Sequence, residues 1–203
     1  MGKKHVRLAA LAVVAVAVAG IAARIWWINT NLPSIPVEYY QMGEWVSLDG
    51  AFQDGDREQT QGYSLMVESA DVVTYDEYLE RHGVTPTGTH GDARCVVDVT
   101  LRIKNGGSDQ GVINIFQMVL TPARGDEYLI CDIMSDDALW LKTEPNADSS
   151  VSIRPGTEYV THIPYVFNGG EEVYGRNITD HDFTFLTSRM PARKMIRVSV
   201  LAD

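Results

Sequence analysis

Between Leu8 and Ala23 the chain carries only Leu, Ala, Val, Ile and one Gly, and after Arg24 the run resumes with Ile25, Trp26, Trp27 and Ile28. A helix over residues 8–28 would extend about 31 Å, the thickness of a bilayer's hydrocarbon core. Nothing else in the sequence restricts the architecture so strongly. A run this apolar predicts a segment that leaves water, with Lys3, Lys4 and Arg7 held on the cytoplasmic side. Arg24, Trp26 and Trp27 fall where a membrane interface would lie, the arginine snorkelling and the indoles forming an aromatic belt. The same residues also fit a cleaved signal peptide, with Ala15-Val16-Ala17 or Ala17-Val18-Ala19 as the processing site. Either reading puts the remainder outside the cytoplasm.

Charge divides the chain at the same place. Residues 1–28 hold four basic residues and no acid, which leaves 13 basic and 27 acidic residues in the rest, a balance of −14. Such a surface repels phosphate backbones, so a nucleic-acid partner is not expected. The expected partners are the lipid bilayer, through the helix, and a protein of the cell envelope. The two cysteines, Cys95 and Cys131, lack zinc-site spacing. They read either as one disulfide, favoured in an oxidising compartment, or as two buried thiols.

Three regions follow: a cytoplasmic stub and transmembrane helix over 1–28, an extended linker over 29–41 with Pro33 and Pro36, and a domain over 42–203. Within that domain the hydrophobic period is mostly two. Cys95, Val97, Val99, Leu101 and Ile103 alternate with Asp98, Thr100, Arg102 and Lys104 up to the turn Asn105-Gly106-Gly107. Further strands are predicted around Trp45–Leu48, Tyr63–Val67, Val112–Thr121, Glu127–Ile133, Thr157–Phe167, Phe183–Thr187 and Met195–Leu201. One helix interrupts them. Thr74-Tyr75-Asp76-Glu77 is a capping box, and Tyr75, Tyr78, Leu79 and His82 recur at helical spacing up to Gly83. Closely spaced strands without alternating helices predict an antiparallel β-sandwich.

The stretch Val96–Asn105, and Ile153-Arg154-Pro155-Gly156-Thr157 followed by Tyr165-Val166-Phe167, resemble two signatures of a bacterial family of unknown function. Its members are anchored or secreted envelope proteins, similar to a mycobacterial secreted immunogenic protein. The resemblance implies an immunoglobulin-like sandwich over residues 42–201 and no catalytic residues. Trp140 follows both cysteines, so the Cys…Trp…Cys order of antibody domains is absent.

Residues that could carry chemistry are few. Gly62-Tyr63-Ser64-Leu65-Met66 holds only half of a nucleophile elbow and lies in a strand pattern. Asp54-Gly55-Asp56-Arg57-Glu58 opens like a calcium loop but has Gln59 and Leu65 where the loop requires Gly and Glu. Asp132, Asp136 and Asp137 form a second acidic group, and Asp180-His181-Asp182 sets two carboxylates beside an imidazole. The remaining histidines, at 5, 82, 90 and 162, are scattered; His162 alternates with Val160, Pro164 and Val166 and so faces an apolar surface. Asn177-Ile178-Thr179 fits a glycosylation acceptor. Tyr39, Tyr40, Trp45, Tyr63 and Trp140 are divided between core and binding face. The expectation is a non-enzymatic, cofactor-free binding or scaffolding module. Calcium or small-ligand sensing, and a secreted hydrolase with an unrecognised site, are the alternatives.

Overall fold

A computed structural model describes residues 2–32, 34–55, 57–86, 94–122, 128–133, 138–144, 148–168, 172–173, 176–177 and 182–202. The chain separates into two units, residues 1–34 and 35–203.

The first unit is helix α1, Lys3–Asn31, whose segment Arg7–Asn31 is 25 residues long with mean hydropathy 2.4, long and apolar enough to cross a membrane. Every residue from Arg7 to Asn31 is exposed. The helix runs three residues past the expected end. Thr30 Oγ1 donates to the Trp26 carbonyl at 2.8 Å and Asn31 Nδ2 to that of Trp27 at 2.8 Å, so the polar side chains of the last turn bond back onto the helix's own carbonyls.

The second unit is mainly β. One sheet places β13 (Leu201–Ala202), β3 (Tyr63–Thr74), β4 (Arg94–Asn105) and β8 (Glu158–Asn168) side by side, with β2 (Val46–Ser47) also on β3. The other has the order β1 (Val37–Gln41), β12 (Arg193–Ser199), β11 (Asp182–Ser188), β6 (Val119–Pro122). Two-stranded pairs, β5 (Ile113–Asn114) with β7 (Ser150–Val151) and β9 (Glu172–Val173) with β10 (Arg176–Asn177), complete the strands. Val97, Val99, Leu101 and Ile103 on β4 share one core cluster with Phe183 and Phe185 of β11 and Ile196 and Val198 of β12. Tyr165 of β8 meets Phe185 edge to face, ring centroids 6.4 Å apart, tying the two sheets together. Each such fully buried side chain contributes about 1.5–3 kcal/mol of transfer free energy.

Two features differ from the expected pattern. The sheets are mixed, because β1 runs parallel to β12 and β13 parallel to β3. Those partners lie far apart in sequence, so no helical crossover is needed between them. The stretch 29–41, expected as a linker, contains the end of α1 and all of β1; Glu38 and Tyr40 turn inward while their neighbours stay exposed. Pro33 and Asp56 lie outside the described residues.

The outer face of the five-stranded sheet is not uniformly wet. Helix α2, Tyr75–Arg81, packs on it and builds a second core from Val73, Tyr75, Tyr78, Leu79, Val96 and Leu139. The helix starts on the first half of the capping box, with the Glu77 amide donating to Thr74 Oγ1 at 3.2 Å, while the Glu77 carboxylate pairs with Arg81 at 2.7 Å. Beyond α2 the same face is open and carries a cross-strand ladder, Arg102 to Glu68 at 2.6 Å and to Glu158 at 3.3 Å.

Candidate functional site

Where α2 ends over the sheet, three ionisable side chains from distant parts of the sequence meet. His82 closes α2. Its own amide reaches the Tyr78 and Leu79 carbonyls, the Gly83 amide donates to the Glu80 carbonyl at 3.0 Å, and the Val84 amide donates to the Leu79 carbonyl at 2.8 Å. This is a Schellman closure, and it requires the positive φ of 74° that Gly83 adopts. The closure directs His82 back over β4, where its ring packs against Tyr78 with centroids 4.3 Å apart. Asp98 lies beneath it on β4, and His162 stands on the adjacent strand β8, opposite Thr100.

His82 Nε2 is 3.3 Å from Asp98 Oδ2, and His162 Nδ1 is 3.4 Å from Asp98 Oδ1. The imidazoles meet edge to face with centroids 4.5 Å apart. Asp98 is only 6% exposed, and its Oδ1 has no hydrogen-bonding partner among the described residues. His162 Nδ1 instead has hydrogen-bonding geometry toward Thr100 Oγ1 at 3.4 Å, and Thr100 in turn accepts from Ser69 Oγ at 3.1 Å. The Asp98 carboxylate raises the His162 pKa above its ordinary value, against the opposing effect of burial.

Asp98 therefore occupies a different environment from the wet strand face on which its alternation places it. The face is correct; α2 covers it. His82, the half-buried residue that follows α2, lies against Tyr78 of its buried stripe, and His162 is on the face it was expected to share with Val166. What joins them is the β4–β8 register together with the path of the chain through Gly83, neither of which periodicity reveals.

The other candidates are used structurally or remain dispersed. Glu58 is buried and accepts from the amides of Gln53, Asp54 (2.8 Å) and Asn114 (2.8 Å), so it braces its own loop. Asp54 pairs with Arg57 at 3.8 Å. Asp132 Oδ2 accepts from the Leu139 amide at 3.0 Å, capping helix α3, Leu139–Thr143. Ser64 lies within β3 opposite Lys104. Asp136, Asp137, His90, Ile178, Thr179, Asp180 and His181 lie outside the described residues. Arg24, Trp26 and Trp27 are exposed on α1. Of the aromatic candidates, Tyr63 and Trp140 are core, Tyr40 is half-buried, and Tyr39 and Trp45 are exposed.

Cys95 and Cys131 are both free thiols. Tyr165 has Val97 on one side and Cys131 on the other, so the two cysteines flank β8 from opposite sides. Two interstrand spacings place their backbones about 10 Å apart, beyond disulfide reach. Burial raises both thiol pKa values, that of Cys131 the further.

A family model described as "Domain of unknown function (DUF5028)" matches residues 37–194. No curated protein and no solved structure gives a significant match.

Proposed function

Since the chain belongs to the DUF5028 family, whose description carries no activity, we propose a function from its architecture: a non-enzymatic module, tethered to the membrane by α1, that presents an immunoglobulin-like binding domain outside the cytoplasm. The observation that carries this reading is α1 itself. An apolar helix of this length, exposed from Arg7 to Asn31, is matched by a lipid environment. The basic residues before it favour the outward orientation of the domain that follows.

Two sheets sharing one core and two exposed aromatic side chains, Tyr39 and Trp45, support a sandwich with a protein-facing surface. The calcium-sensing alternative loses ground because Glu58 and Asp132 already serve backbone amides.

Intact-mass analysis of the protein extracted from membranes, combined with protease accessibility in sealed cells, tests the proposal. A mass retaining residues 1–28 and a domain digested from outside are expected. A mature chain starting near Gly20, or a domain protected until cells are lysed, would overturn it.

A further inference from the structure

We propose that His82, Asp98 and His162 bind a divalent transition-metal ion, zinc being the natural choice. The proposal goes beyond the tethering role and does not depend on it.

Ligand atoms around tetrahedral zinc, each 2.0–2.1 Å from the metal, stand about 3.3 Å from one another. His82 Nε2 stands 3.3 Å from Asp98 Oδ2 and His162 Nδ1 3.4 Å from Asp98 Oδ1, so each carboxylate oxygen faces one imidazole, and one ligand atom from each residue lies within 4.8 Å of the other two.

The state of Asp98 points the same way. A carboxylate this buried needs a cation or several hydrogen-bond donors, and an unpaired oxygen on it is costly. Among the described residues its ion-pair partners are the two histidines, and Oδ1 has no hydrogen bond. A metal ion supplies the missing positive charge. It would also take His162 Nδ1 from Thr100, whose hydroxyl keeps Ser69 as a partner.

The donor set selects the ion. Two imidazole nitrogens and one carboxylate oxygen suit zinc and neighbouring d-block ions. Calcium requires six to eight oxygen ligands, which three side chains with two nitrogens do not provide. The mounting is rigid: His82 is held by the Schellman closure and the Tyr78 ring, while Asp98 and His162 stand on paired strands. Three protein ligands leave the fourth position for water or for a donor atom from another molecule.

The test uses the full chain in detergent, stripped with chelator and titrated with Co²⁺ as a spectroscopic probe, then with Zn²⁺. One equivalent of Co²⁺ should give the visible absorption of a tetrahedral ion, one equivalent of Zn²⁺ should bleach it, and excess Zn²⁺ should raise the melting temperature. His82→Gln and His162→Gln should each weaken binding by at least ~100-fold while circular dichroism in chelator is unchanged. X-ray absorption at the zinc edge of the wild-type protein decides the ligand set without any variant, and should show two imidazoles and no sulfur. No stoichiometric Co²⁺ signal, a signal undiminished in both folded variants, or a sulfur-containing shell would each overturn the assignment.

Discussion

Asn105 Nδ2 donates to the Ile153 carbonyl at 2.8 Å, joining the residue that ends β4 to the residue that opens the Pro-Gly turn before β8. The same side chain donates to the Ser108 carbonyl at 2.7 Å and accepts from the Gly107 and Ser108 amides at 3.0 and 2.7 Å. The main chain closes the junction, with the Gly156 amide donating to the Asn105 carbonyl at 2.8 Å. The two stretches that resemble family signatures are thus the two halves of one buried junction.

Asn105→Ala leaves several buried polar groups unpaired, each costing about 1–3 kcal/mol. A loss of about 2–4 kcal/mol is expected, lowering the melting temperature by roughly 5–15 °C. Thermal melting followed by circular dichroism checks it; a shift of no more than about 1–2 °C would mean that the junction adds little.

Gly111 faces the ring of Tyr63, and a Cβ placed there would come within 1.9 Å of Tyr63 Cε2. Tyr63 is fully buried and its hydroxyl donates to the Gly111 carbonyl at 2.9 Å, so the ring has nowhere to retreat. Gly111→Ala should destabilise by about 1–3 kcal/mol through overpacking. Chemical denaturation should show a lower midpoint with an unchanged slope. An unchanged midpoint would show that the loop yields freely.

Three tyrosines make the fold sensitive to alkali. Burial, reinforced by a hydrogen bond to Glu38, pushes Tyr40 up to about 12, and burial raises Tyr78 and Tyr165 as well. Unfolded tyrosines ionise near pH 10, so above that pH the folded state holds more protons than the unfolded one. Stability therefore falls as pH rises from about 10 toward 12. Phenolate absorbance and far-ultraviolet dichroism, followed together, should show these phenolates appearing as the β signal is lost. Complete tyrosine ionisation with the β signal intact would contradict this.

Both cysteines should titrate as thiols. Without reductant, the protein unfolded in guanidinium should release two equivalents with a disulfide reagent, whereas the folded protein should react slowly because Cys131 is buried with a raised pKa. A chain two hydrogens lighter in intact mass would show a disulfide instead.

Much of the fold is legible in the sequence because it rests on local chemistry. The alternation of β4, the Asn-Gly-Gly stop and the Thr74 cap all depend on neighbours within a few residues. The parallel pairings of β1 with β12 and β13 with β3 depend on partners far along the chain, and no period marks them. The candidate site is hidden for the same reason. Its residues sit on identifiable faces, yet nothing local states that residue 162 comes beside residue 98 or that a helix lies over both.

The β1–β12 pairing also sets a clock on biogenesis. Val37 finds its partner in Arg193, which is made 156 residues later. At a synthesis rate of about 5–20 residues per second, the first strand waits roughly 8–30 s before its hydrogen bonds can form. The five-stranded sheet's central β3–β4–β8 set is complete by residue 168, so it can assemble while the other sheet still lacks both β11 and β12. A chain delivered N-terminus first therefore has β1 among the first strands to appear and among the last able to pair.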